Sequence, residues 1–402
     1  MKKKHKQTVR KATSKNFVVK NKVNKVNKIK NDKPSLFDLY NPLEGKQLQI
    51  MDENGKIINP ELMPKFSNAE LKKIYYGLVY TRMADEKTLK MQRSGVIGTF
   101  AQVKGQEGCQ IGAMLAIKNS DWVVPSFREM AAFFWKGGKL RDFLLYYGGN
   151  EIGNKIPKNM NFMPVSIPVG SQTTHAVGIS WAHKMQKKNN VTITFFGDGG
   201  TSQGECHEAM TFAGVFKTPT IFFCQNNQYA ISTRREDQCA AKTLAQKANG
   251  YGFKGIQIDG NDLFASYVAT KEASRIAKSN NGNGGPSFIE AYTYRMGAHT
   301  TADDPTLYRS SKEVQEWLKK DPILRFSRYM ESLGIWSKSY ESKIVSQVTK
   351  EIEREVKEFM KFPKPSLMDM FAYQYDKMSK QHEEQLLYLE EVTKERGPLH
   401  HQ

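Results

Sequence analysis

The chain has 402 residues, 39% of them apolar and 25% charged, with a formal net charge of +19. That length admits two or three domains, or one large domain with extensions, and the composition is that of a folded globular protein. No run approaches the ~18 consecutive apolar residues a membrane span requires, and Cys109, Cys206, Cys224 and Cys239 form no CxxC pair, which argues against a zinc ribbon and a disulfide scaffold alike.

Most of the charge sits at the start. Residues 1–33 hold twelve Lys and one Arg against Asp32 alone, +12 of the total. The segment is low in complexity, with a triplet register N-K-V, N-K-V, N-K-I at 21–29. Few apolar residues and strong self-repulsion predict disorder. Three roles compete for it: a solvated tail, a polyanion-binding arm, or a mitochondrial transit peptide in which Lys replaces the usual Arg. No apolar stretch follows the basic start, so no secretory signal is expected.

From Pro34 the composition becomes globular. Residues 34–66 read as extended, with a turn at Asp52-Glu53-Asn54-Gly55. Ser67 and Glu70 form a capping box, and Leu71, Ile74, Leu78, Val79 and Met83 follow at helical spacing, predicting a long helix to about Gln92 that Gly95 and Gly98 end. Further helices are expected at about Gly105–Ile117 and Arg128–Trp135. The centre differs. Val191–Phe196 and Thr220–Cys224 are β-branched and aromatic runs, with a helical pattern at Glu205–Phe216 between them. Strands at Gly255–Ile258 and Ser287–Tyr294 flank a helix at Leu263–Lys278, and residues 281–286 form a turn. Strands alternating with helices predict an α/β fold, a parallel central sheet flanked by helices. After Arg309 the chain turns helical and charged, with amphipathic packing helices at 340–361 and 375–392.

The strongest chemical signal is Gly197-Asp198-Gly199, followed 29 residues after the Asp by Asn227. Both polar residues fall at the carboxyl ends of consecutive predicted strands, on the edge where open parallel sheets bind ligands. A carboxylate and a carboxamide there are hard oxygen ligands suited to Mg²⁺, which takes phosphate and water oxygens as its remaining ligands. Gly199 and Gly200 let backbone N–H groups approach a phosphate at the following helix. Together these residues describe a metal–diphosphate clamp.

Residues 197–233, GDGGTSQGECHEAMTFAGVFKTPTIFFCQNNQYAIST, resemble the thiamine-diphosphate motif of the 2-oxoacid dehydrogenases. The similarity runs from about Leu36 to Glu390. It is greatest to the alpha subunits of the pyruvate-type decarboxylating component of Gram-positive-type bacteria. PSFRE (125–129), MPVSIPVGSQ (163–172), AKTLAQKA (241–248) and YRMGAHTTADDPTLYR (294–309) support it. The resemblance implies a thiamine-diphosphate-binding fold over 34–375 with helical N- and C-terminal additions, the latter at 376–402. It implies that Asp198 and Asn227 bind Mg²⁺ by side chain and Tyr229 by its carbonyl. Gly199, Gly200, Arg128 and Arg295 would hold the diphosphate, the arginines by their planar fork, and the backbone of Ile167 and Val169 would hold the aminopyrimidine. His299, in a loop the family uses as a mobile active-site loop, would contact the diphosphate and assist proton transfer.

The reaction so implied is oxidative decarboxylation of a 2-oxoacid, pyruvate first, with the acyl group passing to the lipoyl arm of an acyltransferase component. Branched-chain 2-oxoacid and acetoin dehydrogenase alpha subunits share the same clamp. The resemblance also implies a separate beta subunit, an α₂β₂ assembly, no membrane contact and a cytoplasmic setting, or the mitochondrial matrix if the tail is a transit peptide. A nucleic-acid-binding role through the tail is the rival reading, but no basic stripe interleaved with aromatics appears elsewhere. Three positions depart from the family pattern: Phe127 where relatives carry Tyr, Pro168 in the pyrimidine loop, and His175 in a helix start that is often Gly- or Ala-rich. Thr300 and Thr301 replace the loop serine that is phosphorylated in some relatives.

Overall fold

A computed structural model describes residues 34–397, so the basic segment 1–33 lies outside the described residues. Six parallel strands form the central sheet: β1 (Gln47–Leu48), β2 (Trp122–Val124), β3 (Thr192–Gly197), β4 (Thr220–Asn226), β5 (Lys254–Asp259) and β6 (Ser287–Tyr292), in the order β1-β5-β6-β4-β3-β2. Every residue of β4, and all of β3 but Gly197, is buried. This explains why both read as continuous apolar runs: helices cover both faces of a parallel sheet, so no position alternates to solvent. Phe195, Phe196, Phe222 and Phe223 are fully buried, each contributing ~1.5–3 kcal/mol of transfer free energy.

The first long helix, α1 (Asn68–Arg93), starts at the expected capping box: Glu70 N–H donates to Ser67 Oγ at 3.3 Å, and Ser67 N–H donates to the Glu70 carboxylate at 2.8 Å. The helix expected at 105–117 is α2 (Glu107–Ala116). Helices α3 (Ser171–Met185), α4 (Gly204–Phe216) and α5 (Leu263–Gly282) complete the layers. α2 and α5 approach so closely that a Cβ on Gly112 would stand 2.4 Å from the Leu263 carbonyl oxygen, and Ser266 Oγ donates to the Cys109 carbonyl at 2.7 Å. Glycine is therefore required in α2 by packing rather than by dihedral angle. Asp262 precedes α5. Its buried carboxylate accepts from the N–H groups of Phe264 and Ala265 and, from 34–66, those of Ile50 and Met51. One carboxylate thus caps the helix and fastens the N-terminal segment to it.

Some expectations need correction. The helix placed at 128–135 begins only at Met130, leaving Arg128 in the loop before it. Segment 34–66 has the expected turn, closed by Asp52, but also the short helix Leu36–Leu39 and β1. Helix α6 (Lys338–Met360) packs on the core through Val348 and Ile352 as expected. The last helix, α7 (Lys380–Arg396), buries only Leu386 and leaves Leu387 and Tyr388 exposed. It is amphipathic in pattern but packs only locally, His382 against Phe371 and Tyr375, and among the described residues nothing covers the face of Leu387 and Tyr388.

Candidate active site

Four neighbouring strand ends deliver four of the expected residues to one edge of the sheet. β2 leads into the loop carrying Arg128, β3 into Asp198, β4 into Asn227 and β6 into Arg295. The register makes them neighbours. Gly197 pairs with Gln225 and Asn226 with Tyr292, and beyond the strands Thr293 N–H still donates to the Asn226 carbonyl (2.9 Å) and Arg295 N–H to that of Asn227 (3.3 Å).

Asp198 is 1% exposed, and neither carboxylate oxygen has a hydrogen-bond partner. Burial pushes its carboxyl up to about 6, against the pull of its own and Asn227's backbone N–H, which lie near it without hydrogen-bond geometry, and of Arg295. A buried carboxylate with both oxygens unsatisfied is costly in a folded chain. The donor set beside it is what a hard cation needs. Asn227 is buried, its amide held by Gln106 Oε1 at 3.3 Å. Tyr229's carbonyl accepts from Arg295 Nη1 at 3.2 Å and keeps a second lone pair. Among the described residues no cluster of three or more His, Cys, Asp or Glu could hold a metal. Asp198, Asn227 and the Tyr229 carbonyl are hard oxygen donors of the kind Mg²⁺ takes when phosphate and water complete its shell, too few for a closed protein-only cage. Asn226, by contrast, faces away from this set: its Nδ2 donates to Glu290 at 2.7 Å and its Oδ1 accepts from Gln228 N–H.

Gly199 and Gly200 open a short 3-10 turn, Asp198–Ser202, before α4. Neither has a positive φ. What Gly199 needs is space: a Cβ there would stand 2.9 Å from that of Ala230, in the two-stranded ribbon Tyr229–Ala230 with Thr233–Arg234. The segment with Ile167 and Val169 runs into Gly170, where a Cβ would meet Gln203 Cβ, just past the turn, at 2.8 Å. Both side chains are strongly exposed, 53% and 43%. Pro168 contributes its carbonyl, which accepts from Ser171 Oγ at 2.9 Å. His175 is exposed and bonds only the Ser171 carbonyl.

Arg128 and Arg295 converge from opposite sides. Both are buried, and neither has an ion-pair partner within 4 Å among the described residues. Arg128 Nη1 donates to the Gln102 carbonyl (2.6 Å) and Nη2 to the His299 carbonyl (3.0 Å); Arg295 Nη2 donates to the Ile231 carbonyl (2.7 Å) and Tyr308 Oη (2.8 Å). Burial, and the second arginine after it, bring Arg128 down to about 10. Two buried guanidiniums without a carboxylate make a site for an anion. His299 lies between them. Its Nδ1 is 3.4 Å from Arg128 Nη2 and 3.3 Å from Arg295 Nη1. Guanidinium nitrogens only donate, so Nδ1 carries the lone pair and the proton sits on Nε2. Burial first, then both arginines, hold this imidazole down at about 4. Phe127 stands edge-on to the His299 ring at 6.2 Å.

The loop that carries His299 is fastened at several points. Asp303 Oδ2 accepts from His299 N–H and Tyr308 Oη, both at 2.6 Å. Thr301 and Phe100 exchange two bonds, Thr301 N–H to the Phe100 carbonyl (3.0 Å) and Phe100 N–H to Thr301 Oγ1 (3.2 Å). Phe100 belongs to a strap whose Val103 N–H and Gln102 amide are held by buried Asp85, at 2.8 and 3.0 Å. Sequence reasoning missed Asp85, Asp303 and Tyr308 as site residues. The latter two lay inside the segment 294–309 that carried the resemblance, but Asp85 sits in an amphipathic helix pattern with no local sign of its partner.

The dehydrogenase E1 component family matches residues 76–368. The chain is also 38% identical over 369 residues to the pyruvate dehydrogenase E1 component subunit alpha of Staphylococcus aureus, covering 91% of this chain and 97% of that protein. It has the same identity and coverage with the subunit of that name from Staphylococcus epidermidis.

Proposed function

The chain belongs to the dehydrogenase E1 component family, and from that premise we propose that it is the alpha subunit of a pyruvate dehydrogenase, an oxidoreductase acting on pyruvate within a larger complex. We further infer that it binds thiamine diphosphate and Mg²⁺ and acts with a beta subunit, passing the acetyl group to a lipoyl-bearing acyltransferase. The pyruvate-type names of its relatives favour pyruvate over branched-chain 2-oxoacids or acetoin. The Staphylococcus relatives favour a bacterial cytoplasm, and no helix among the described residues is long and apolar enough to cross a membrane.

One observation carries the cofactor reading. Asp198 has two buried, unpartnered carboxylate oxygens on the sheet edge where Arg128 and Arg295 converge without an acid to pair with. A cation on the Asp198 side and a polyanion on the arginine side neutralise both, and a magnesium diphosphate supplies the two together. Thiamine diphosphate, when bound, supplies the carbon nucleophile and electron sink for decarboxylation. The chain's own part is positioning. Asp198, Asn227 and the Tyr229 carbonyl would hold the cation. Arg128, Arg295 and the turn at Gly199–Gly200 would hold the diphosphate. Ile167 and Val169 lie in an exposed loop, in keeping with a site that a second subunit completes. His299 would keep its proton on Nε2 at neutral pH, and an anion between the arginines would raise its basicity by screening them.

The test is calorimetric titration of thiamine diphosphate into the chain co-expressed with its beta partner, with and without Mg²⁺. Metal-dependent binding that Asp198→Ala abolishes is the expected result, together with no decarboxylation by the single chain. Absence of binding in the assembled enzyme would refute the cofactor assignment.

A further inference from the structure

Behind Arg128 lies a buried polar chain that the site as described does not use. Glu129 is 5% exposed, Gln225 2% and Gln110 0%. Glu129 Oε2 accepts from the backbone N–H groups of Ser126 (2.8 Å) and Arg128 (3.1 Å), so it folds the Arg128 loop around itself. Its Oε1 accepts from Gln225 Nε2 at 2.5 Å. Gln225 Oε1 in turn accepts from Gln110 Nε2 at 2.8 Å, and Gln110 Nε2 also donates to the Arg128 carbonyl at 3.0 Å. The chain ends where Gln110 Oε1 accepts from Ala131 N–H (3.1 Å) and Ala132 N–H (3.3 Å).

The polarity of this chain is forced from both ends. At one end the two alanine N–H groups compel Gln110 to present its oxygen, which turns its NH₂ toward Gln225. At the other, Glu129 Oε2 is taken by two backbone N–H groups and Oε1 by Gln225 Nε2, contacts that favour the carboxylate against the burial that pushes this carboxyl up to about 7, and they turn the NH₂ of Gln225 toward Glu129. Each amide therefore has one allowed orientation, and the loop carrying Arg128 is tied to β4 two residues before Asn227. Glu129 is also a negative charge placed next in sequence to an arginine that has no ion pair, and its pull on Arg128 opposes the effect of burial.

We propose that Glu129, acting through Gln225 and Gln110, is a positioning residue that holds the Arg128 guanidinium in register with Asn227 for the diphosphate. This rests on the thiamine-diphosphate reading above. It makes a sharp demand on substitutions. Glu129→Gln leaves two NH₂ groups facing each other across the 2.5 Å Glu129–Gln225 contact, and no flip removes the conflict because the alanine N–H groups block the far end. Gln225→Glu alone sets two carboxylates against each other. The double exchange E129Q/Q225E satisfies every atom again. The amide then at position 129 accepts from the Ser126 and Arg128 N–H groups and donates to position 225. The carboxylate then at position 225 accepts from that amide and from Gln110.

The experiment is a double-mutant cycle in the co-expressed α₂β₂ assembly, read as the calorimetric Kd for thiamine diphosphate at saturating Mg²⁺ and as KM for pyruvate at saturating cofactor. Wild type is the reference, and its failure to bind would refute the cofactor reading rather than this proposal. Each single variant is expected to raise Kd by about 10–100-fold, the usual cost of losing a residue that orients a ligand-holding group, with KM for pyruvate little changed. The double variant is expected to return within about threefold of wild type, a coupling larger than independent sites show. Wild-type Kd in E129Q, or a double variant no better than the singles, overturns the proposal. Should E129Q fail to assemble, the double variant carries the test alone, and its failure to assemble and bind has the same consequence.

Discussion

Asp198→Asn should reveal what the buried Asp198 carboxylate costs the protein when no cation accompanies it. The Asp198 carboxyl sits at about 6 in the fold against an ordinary 3.8, with burial the main cause. Its folded-state pKa is raised, so the folded chain holds this proton more tightly than the unfolded chain. The associated stability is complete below pH ~4 and is lost as pH rises through about 6. At 1.36 kcal/mol per pKa unit the ionised group costs on the order of 3 kcal/mol by pH 8, roughly half of it between pH 5 and 8. An asparagine there has no such titration, and whatever its amide costs is the same at both pH values. Thermal or denaturant unfolding of the assembled enzyme, stripped of metal and cofactor, would measure this. Between pH 5 and 8 the wild type should lose on the order of 1 kcal/mol more than the variant. Adding Mg²⁺ and thiamine diphosphate at about 100 times Kd should then stabilise wild type by about 2.7 kcal/mol and leave the variant unmoved. Parallel pH dependence in the two proteins, or equal stabilisation by the ligands, would refute the reasoning.

Gly199→Ala should weaken magnesium-dependent cofactor binding at least tenfold without unfolding the chain, because its methyl meets Ala230 at 2.9 Å and displaces the ribbon that carries the Tyr229 carbonyl; calorimetry on the folded variant checks this, and an unchanged Kd counts against it. In the cofactor-free enzyme, hydrogen exchange at C2 of His299, followed by mass spectrometry across pH, should titrate near 4, and Arg128→Ala should move the midpoint upward; a wild-type midpoint at or above 6.5 contradicts the arrangement of two arginines on Nδ1. Among the thiols, half-buried Cys239 should be alkylated first in the native protein, with buried Cys109, Cys206 and Cys224 reacting only on unfolding; peptide mapping after a timed iodoacetamide pulse decides.

Local pattern carried far in this chain. The capping box at Ser67, the buried runs of β3 and β4, and the placement of Asp198 and Asn227 past consecutive strand ends all follow from short-range rules of propensity and period. The expectation of a clamp has the same local source, a carboxylate and a carboxamide at the carboxyl edge of parallel strands, which are oxygen donors suited to a hard cation. The exposed face of α7 marks the limit of such rules: its period is helical, but whether a helix packs depends on a partner surface, which no local pattern encodes.

What only the tertiary structure decided is which groups stand against those residues. β2 is three residues long, too short to announce itself by alternation, yet it brings Arg128 to the edge where Arg295 arrives from β6. Asp85, Glu129, Gln110 and Gln225 read locally as surface-type polar residues. Their burial is sustained in large part by partners 17 to 115 positions away, since burying a polar or charged group is costly without them. His299 is lowered in basicity first by burial and then by two arginines, one 171 residues distant and one 4. Residue type and spacing set which donor groups stand on the sheet edge; the electrostatics around them arise where segments far apart in the chain meet.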